Sequence, residues 1–186
     1  MVSLGALWLP VLLSAVLVFV ISFLVHMVLR YHRSDYQPLP NEEAVRAAIR
    51  SGNPAPAQYV IPYCSDPKEM QAPDMQRKYI EGPVAVLNLK RPAPPSMGPY
   101  LAQWFVFTLV VSFFVAYVAA HTLAPGTVYL EVFRVVGTVA FLAYAAGQFP
   151  AAIWMGKPWS VAWKEGFDGL LYGLVTAGTF GWLWPR

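Results

Sequence analysis

The sequence predicts an all-α membrane protein: four transmembrane helices with a partly ordered, Pro-rich cytoplasmic cap. Three observations carry that prediction. Four long runs, 4–29, 100–120, 128–152 and 167–184, contain almost no charge. Hydrophobic residues make up 57% of the 186-residue chain and charged residues only 12%, about half the share usual in a soluble domain. Twelve of the seventeen prolines fall between 31 and 99, so that stretch is not one continuous helical domain. At about 1.5 Å per residue even an 18-residue run reaches about 27 Å, close to the thickness of a hydrocarbon core.

The first run (4–29) lacks a basic n-region, is too long for the apolar part of a secretory signal, and is followed by no small-x-small cleavage pattern. It reads as a retained anchor. Ser14, Val18, Ser22 and His26 share one of its faces. The segment 30–99 is the cap. Asn41 has the chemistry of a helix N-cap, with Glu42 and Glu43 in the first turn and Gly52 past the end. Asp66-Pro67 starts another helical turn, and Pro73–Tyr79 a third, closed by Gly82. Gln58–Tyr63 and Val84–Leu89 have strand composition and are candidates to pair. With few large apolar groups, such a segment is not expected to form a core of its own.

The second run (100–120) and the third (128–152) are joined by a short turn carrying Pro125 and Gly126, which makes them antiparallel neighbours. Pro150 is expected to end or kink the third helix. Residues 153–166 read as an interfacial connector, with Trp159, Ala162 and Trp163 on one side, before the fourth run (167–184). Lipid tails are as apolar as Leu, so such helices associate through close packing and polar contacts. Small residues at four-residue spacing suit that role: Gly169, Gly173, Ala177 and Gly181 in the fourth run, Thr108, Ser112, Ala116 and Ala120 in the second, and Ala143, Gly147 and Ala151 in the third. Such stripes either hold the bundle together or present a face to another subunit.

Orientation follows from basic residues. Eleven of the thirteen Lys and Arg fall in 30–99 or in the 153–166 connection, leaving Arg134 and Arg186 for the other side. Positive residues resist translocation, so both termini are expected outside and 31–99 in the cytoplasm. Tryptophans frame the same picture, Trp8, Trp182 and Trp184 at the outer ends and Trp104, Trp154, Trp159 and Trp163 at the inner. The single cysteine, Cys64, rules out an internal disulfide framework.

Few polar groups can carry chemistry. Glu131 and Arg134 sit three apart in the third run, either as an intrahelical pair snorkelling outward or as a substrate, proton or partner contact. His26 and Asp168 fall at the same inner level and can pair, structurally or to handle a proton. His26 and His121 lie at opposite faces of the bilayer, which excludes a shared haem iron. Cys64, Met70 and Met75 are weak candidates for soft-metal ligands; their spacing matches no strong metal signature. There is no nucleotide loop, HExxH or GxSxG, so neither a cofactor nor an enzyme activity is expected. The basic inner face is explained by anionic lipid without invoking nucleic acid.

The stretch WLPVLLSAVLVFVISFLVHMVLRYHRSDYQPLPNEEAVRAAIR and the closing DGLLYGLVTAGTFGWLWPR resemble an uncharacterised family of small bacterial four-span membrane proteins. That resemblance implies a bacterial inner-membrane setting and transfers no activity or site residue. The expected role is a non-enzymatic accessory, assembly or scaffold component of a membrane complex. Its partners would be the lipid bilayer and other membrane-protein subunits or further copies of itself. The alternative is a small oligomeric transporter or channel using the intramembrane polar residues.

Overall fold

A computed structural model describes residues 1–186. In chain order its elements are α1 (Trp8–Phe23), α2 (Glu42–Ser51), β1 (Gln58–Ile61), α3 (Pro73–Glu81), β2 (Ala85–Asn88), α4 (Gly98–Thr122), α5 (Tyr129–Ala145), α6 (Phe149–Trp154) and α7 (Trp159–Trp182). A 3-10 turn (Leu4–Leu7) precedes α1 and a π-helical turn (Leu24–Leu29) follows it without a break. Three stretches, Leu4–Leu29, Gly98–Thr122 and Tyr129–Trp154, are long and apolar enough to cross a membrane. α7 matches them in length, but its glycines and threonines and the charges of Lys164, Glu165 and Asp168 leave it less apolar.

The chain forms two compact units. The first comprises Met1–Tyr36, Ser96–Ile153 and Lys157–Arg186, and the long helices build it as an antiparallel bundle. α1 meets α4 through polar contacts at regular depth: Trp104 Nε1 donates to Ser22 Oγ (2.8 Å), Thr108 Oγ1 to the Ala15 carbonyl (3.4 Å), and Ser14 Oγ to Ser112 Oγ (3.0 Å). Thr108, Ser112, Ala116 and Ala120, the small-residue stripe of α4, are all buried. α5 and α7 approach more closely still. A Cβ on Gly169 would sit 2.8 Å from the Ala145 Cβ and 2.9 Å from its backbone, and one on Gly173 would sit 3.1 Å from the Phe141 backbone nitrogen. At the far end a Cβ on Gly181 would be 2.7 Å from the Tyr129 ring. Two of the three small-residue stripes are therefore consumed inside the bundle. The third differs: Ala143 and Gly147 are exposed, and nothing lies within 4 Å of a Cβ built on Gly147.

Several local features differ from the sequence reading. The connector expected over 153–166 reduces to Met155–Pro158, because Gly156 (φ +70°) turns the chain and α7 is already helical at Trp159. Ala162, one turn in, is fully buried, so packing has begun well before residue 167. The third run breaks just ahead of Pro150, where a 3-10 turn (Ala146–Gln148) separates α5 from α6; proline offers no N–H to continue the ladder. Trp184 is no interfacial belt residue. It is buried, with Nε1 donating to the Ala124 carbonyl (3.0 Å), while Gly126 N–H donates to the Pro185 carbonyl (2.8 Å). Trp104 likewise turns inward, its ring 6.0 Å from Tyr172 and 6.5 Å from Tyr144.

The second unit holds Gln37–Pro95 and Trp154–Gly156. β1 and β2 pair antiparallel, Gln58 opposite Asn88 and Ile61 opposite Ala85. No residue between 37 and 95 is buried, as expected for a segment with few large apolar groups. Asn41 occupies the position before α2, but in a left-handed conformation (φ 59°) and without a side-chain cap; its carbonyl accepts from Ala44 and Val45 instead. Surface ion pairs dress the short helices. Arg77 and Lys78 both hold Asp74 and keep its carboxyl below the usual carboxylate range, chiefly through Lys78.

The glycine seam makes a contrast that can be measured. Gly169→Ala drives a methyl into the Ala145 backbone and is expected to cost about 1–3 kcal/mol in unfolding from mixed micelles. Gly147→Ala, facing open space, should leave the same transition unmoved.

Candidate functional site

The densest polar cluster in the bundle forms where α1 ends and α7 begins. The π-helical turn Leu24–Leu29 closes on Arg30, a non-glycine residue in the left-handed region (φ 57°). Such a conformation costs on the order of 1 kcal/mol, and both it and π turns gather at functional sites. The reversal carries the chain into a 3-10 turn, Tyr31–Ser34, whose side chains meet the first turns of α7.

Asp168, buried at 3% exposure, is the centre. Tyr31 Oη donates a hydrogen bond to its Oδ1, and His32 Nε2 lies 2.9 Å from its Oδ2. The other ring nitrogen of His32, Nδ1, lies 2.6 Å from Asp35 Oδ2. Asp35 is held in turn by Lys164, whose ammonium uses all three donors: Asp35 Oδ1 (2.6 Å), Ser34 Oγ (2.8 Å) and the Tyr31 carbonyl (2.9 Å). Polar contacts thus run in one line from Lys164 through Asp35 and His32 to Asp168. His26 completes the group. Its ring stacks on His32, centroids 4.5 Å apart and planes 3° from parallel, and its Nδ1 meets the Ser22 carbonyl at 3.0 Å. Its Nε2 stands 3.9 Å from Asp168 Oδ2. A second pair, Lys157 with Glu165, lies further along, with Gln148 Oε1 also in reach of Lys157.

The environment shifts two groups outside the apolar helices. Burial, followed by the hydrogen bond to Asp168 and that residue's negative charge, pushes the Tyr31 phenol well above its ordinary value. For Asp35 burial acts upward, but the hydrogen bonds and charges of Lys164 and His32 outweigh it and hold the carboxyl below its ordinary value.

The site residues named from sequence are distributed unevenly. His26 and Asp168 come together, joined by Tyr31, His32, Asp35 and Lys164, which sequence reasoning passed over. The missed signal was local: His32 and Asp35 share a turn directly after the first apolar run, and Lys164 and Asp168 are four apart on one helix face. Glu131 and Arg134 do not form the intrahelical ion pair considered for them. Both are exposed, and Arg134 borders a shallow groove with Phe133, Gly137, Phe141 and Leu170. Cys64 is half-buried and donates to the Asp66 carbonyl at 3.0 Å, Met70 is exposed and Met75 half-buried. Gly169, Gly173, Ala177, Ser112 and Ala116 are buried at helix contacts, and Gly181 is half-buried against Tyr129.

Comparison of the chain with family models, with curated proteins and with solved structures finds no match.

The two shifts fix a pH window. A depressed Asp35 adds stability that is complete above its ordinary 3.8 and is lost as pH falls through the lower folded value. A raised Tyr31 adds stability that is complete below its ordinary 10.0 and is lost as pH rises past it. In thermal melts in detergent, Asp35→Asn should shallow chiefly the acid limb and Tyr31→Phe the alkaline limb.

Proposed function

We propose that the protein is a multi-pass component of a bacterial inner membrane, crossing it four times with both termini outside and residues 31–99 in the cytoplasm. It acts as a non-enzymatic accessory or scaffold subunit of a membrane complex. The observation that carries the fourth crossing is the length of the α5–α7 seam. Contacts run from Gly169 against Ala145 at one end to Gly181 against Tyr129 at the other. A helix laid along the whole of a membrane-capable neighbour lies at the same depth. Its charged start then falls at the bundle end where Tyr31, His32 and Asp35 neutralise it, and this satisfies groups that lipid would not. The scaffold role is supported by exposed Ala143 and Gly147, small residues that let a partner helix approach closely.

A second reading, a small oligomeric carrier, draws on Tyr144 and Tyr172. Their hydroxyls are buried in the bundle and meet no acceptor in the protein, the latter one helical turn from Asp168.

Topology is tested by fusions. With four crossings alkaline phosphatase joined after Arg186 or ahead of Met1 is active and one inserted in 37–95 is inactive; three crossings would put the two termini on opposite sides. Purification in mild detergent should recover a partner subunit in stoichiometric amount, and Gly147→Leu should release it without lowering the melting temperature. A solitary wild-type monomer would count against the scaffold role.

A further inference from the structure

We infer that His26, His32 and Asp168 form a binding site for a divalent first-row transition cation of the zinc class. His26 Nε2, His32 Nε2 and a carboxylate oxygen of Asp168 lie within 4.8 Å of one another. Two imidazoles and one carboxylate, with further positions open, is a donor set suited to Zn²⁺ and related borderline ions.

The surroundings of the rings strengthen the assignment. A metal-ligating histidine usually donates its other N–H to a carboxylate or a backbone carbonyl, which fixes the tautomer and aims the free nitrogen at the ion. Both rings have that arrangement: His32 Nδ1 faces Asp35 Oδ2 at 2.6 Å, and His26 Nδ1 faces the Ser22 carbonyl at 3.0 Å. Each contact leaves Nε2 on the side of Asp168. Asp35 is itself anchored by Lys164, so the second shell is tied to α7 as firmly as Asp168 is. Asp35 and Asp168 supply two carboxylates against the one ammonium of Lys164, an excess of acidic groups that favours a cation.

The rearrangement required is small. Ligands about 2.1 Å from an ion in tetrahedral array are about 3.4 Å apart. The His32–Asp168 separation, 2.9 Å, has to open, and the His26–Asp168 separation, 3.9 Å, has to close. The two rings now lie parallel, so their lone pairs point side by side and one ring must tilt. His26 is the ring free to do so, its side chain 49% exposed and held by one hydrogen bond. The inference does not depend on the scaffold role or on any partner.

The test is metal binding by the full-length protein in detergent after chelator stripping. Dialysis against Zn²⁺ should leave one zinc per chain by elemental analysis, and Co²⁺ should give the visible absorption of a low-coordinate site, abolished by added Zn²⁺. His26→Ala removes an exposed ligand and should weaken binding at least tenfold with helicity unchanged. Asp35→Asn, which disturbs the orientation of His32, should weaken it about 10- to 100-fold. Cys64→Ser should have no effect. Zinc uptake no higher than background, or uptake that persists equally in His26→Ala and Asp168→Asn, overturns the assignment.

Discussion

The bundle depends on how closely the α5 and α7 backbones approach. In hydrocarbon there is no hydrophobic gain from bringing two apolar helices together, so dispersion contacts and the few available hydrogen bonds must hold them. Dispersion falls steeply with distance, which makes the absence of a Cβ at Gly169 and Gly173 the decisive feature. At Gly169 even a methyl group would overlap the Ala145 backbone, and at Gly173 it would crowd the Phe141 backbone. The seam fixes the register of α7, and that register sets the level at which Lys164 and Asp168 stand.

The polar end of the bundle follows from this placement. A buried carboxylate is costly unless it is paired and hydrogen-bonded. Asp168 is brought into the bundle by α7 and satisfied from the chain that leaves α1, through Tyr31 and His32. The left-handed Arg30 is what allows that chain to fold back. Local strain, a π turn and a line of polar contacts are thus parts of one arrangement. It ties two helix ends that are 136 residues apart in sequence, as His32 and Asp168 are.

Along the bundle interior the polar contacts are sparse and evenly spaced. Ser14 with Ser112 and Ser22 with Trp104 join α1 to α4, while Trp184 with Ala124 ties the end of the chain to the α4–α5 turn. Each such bond is worth on the order of 0.6 kcal/mol in a bilayer, so their contribution lies in fixing register more than in total energy.

What could be read from sequence alone was whatever depends on neighbours along the chain. The apolar runs follow from composition and length, the strand pairing partners from β-branched and aromatic content, and the break near Pro150 from a missing N–H. The small-residue stripes follow from helical periodicity, and the ends of the apolar runs set His26 and Asp168 at one level. What the tertiary structure decided depends on neighbours across the fold. Only the packed bundle shows which stripes turn inward, why α7 is already helical at Trp159, and that Trp104 and Trp184 serve the interior rather than a lipid interface. Only the reversal at Arg30 brings His32, Asp35 and Lys164 to Asp168. The physical reason is that hydropathy and periodicity assign a face to each residue of a helix, but the partner that face meets is set by the close approach of another backbone.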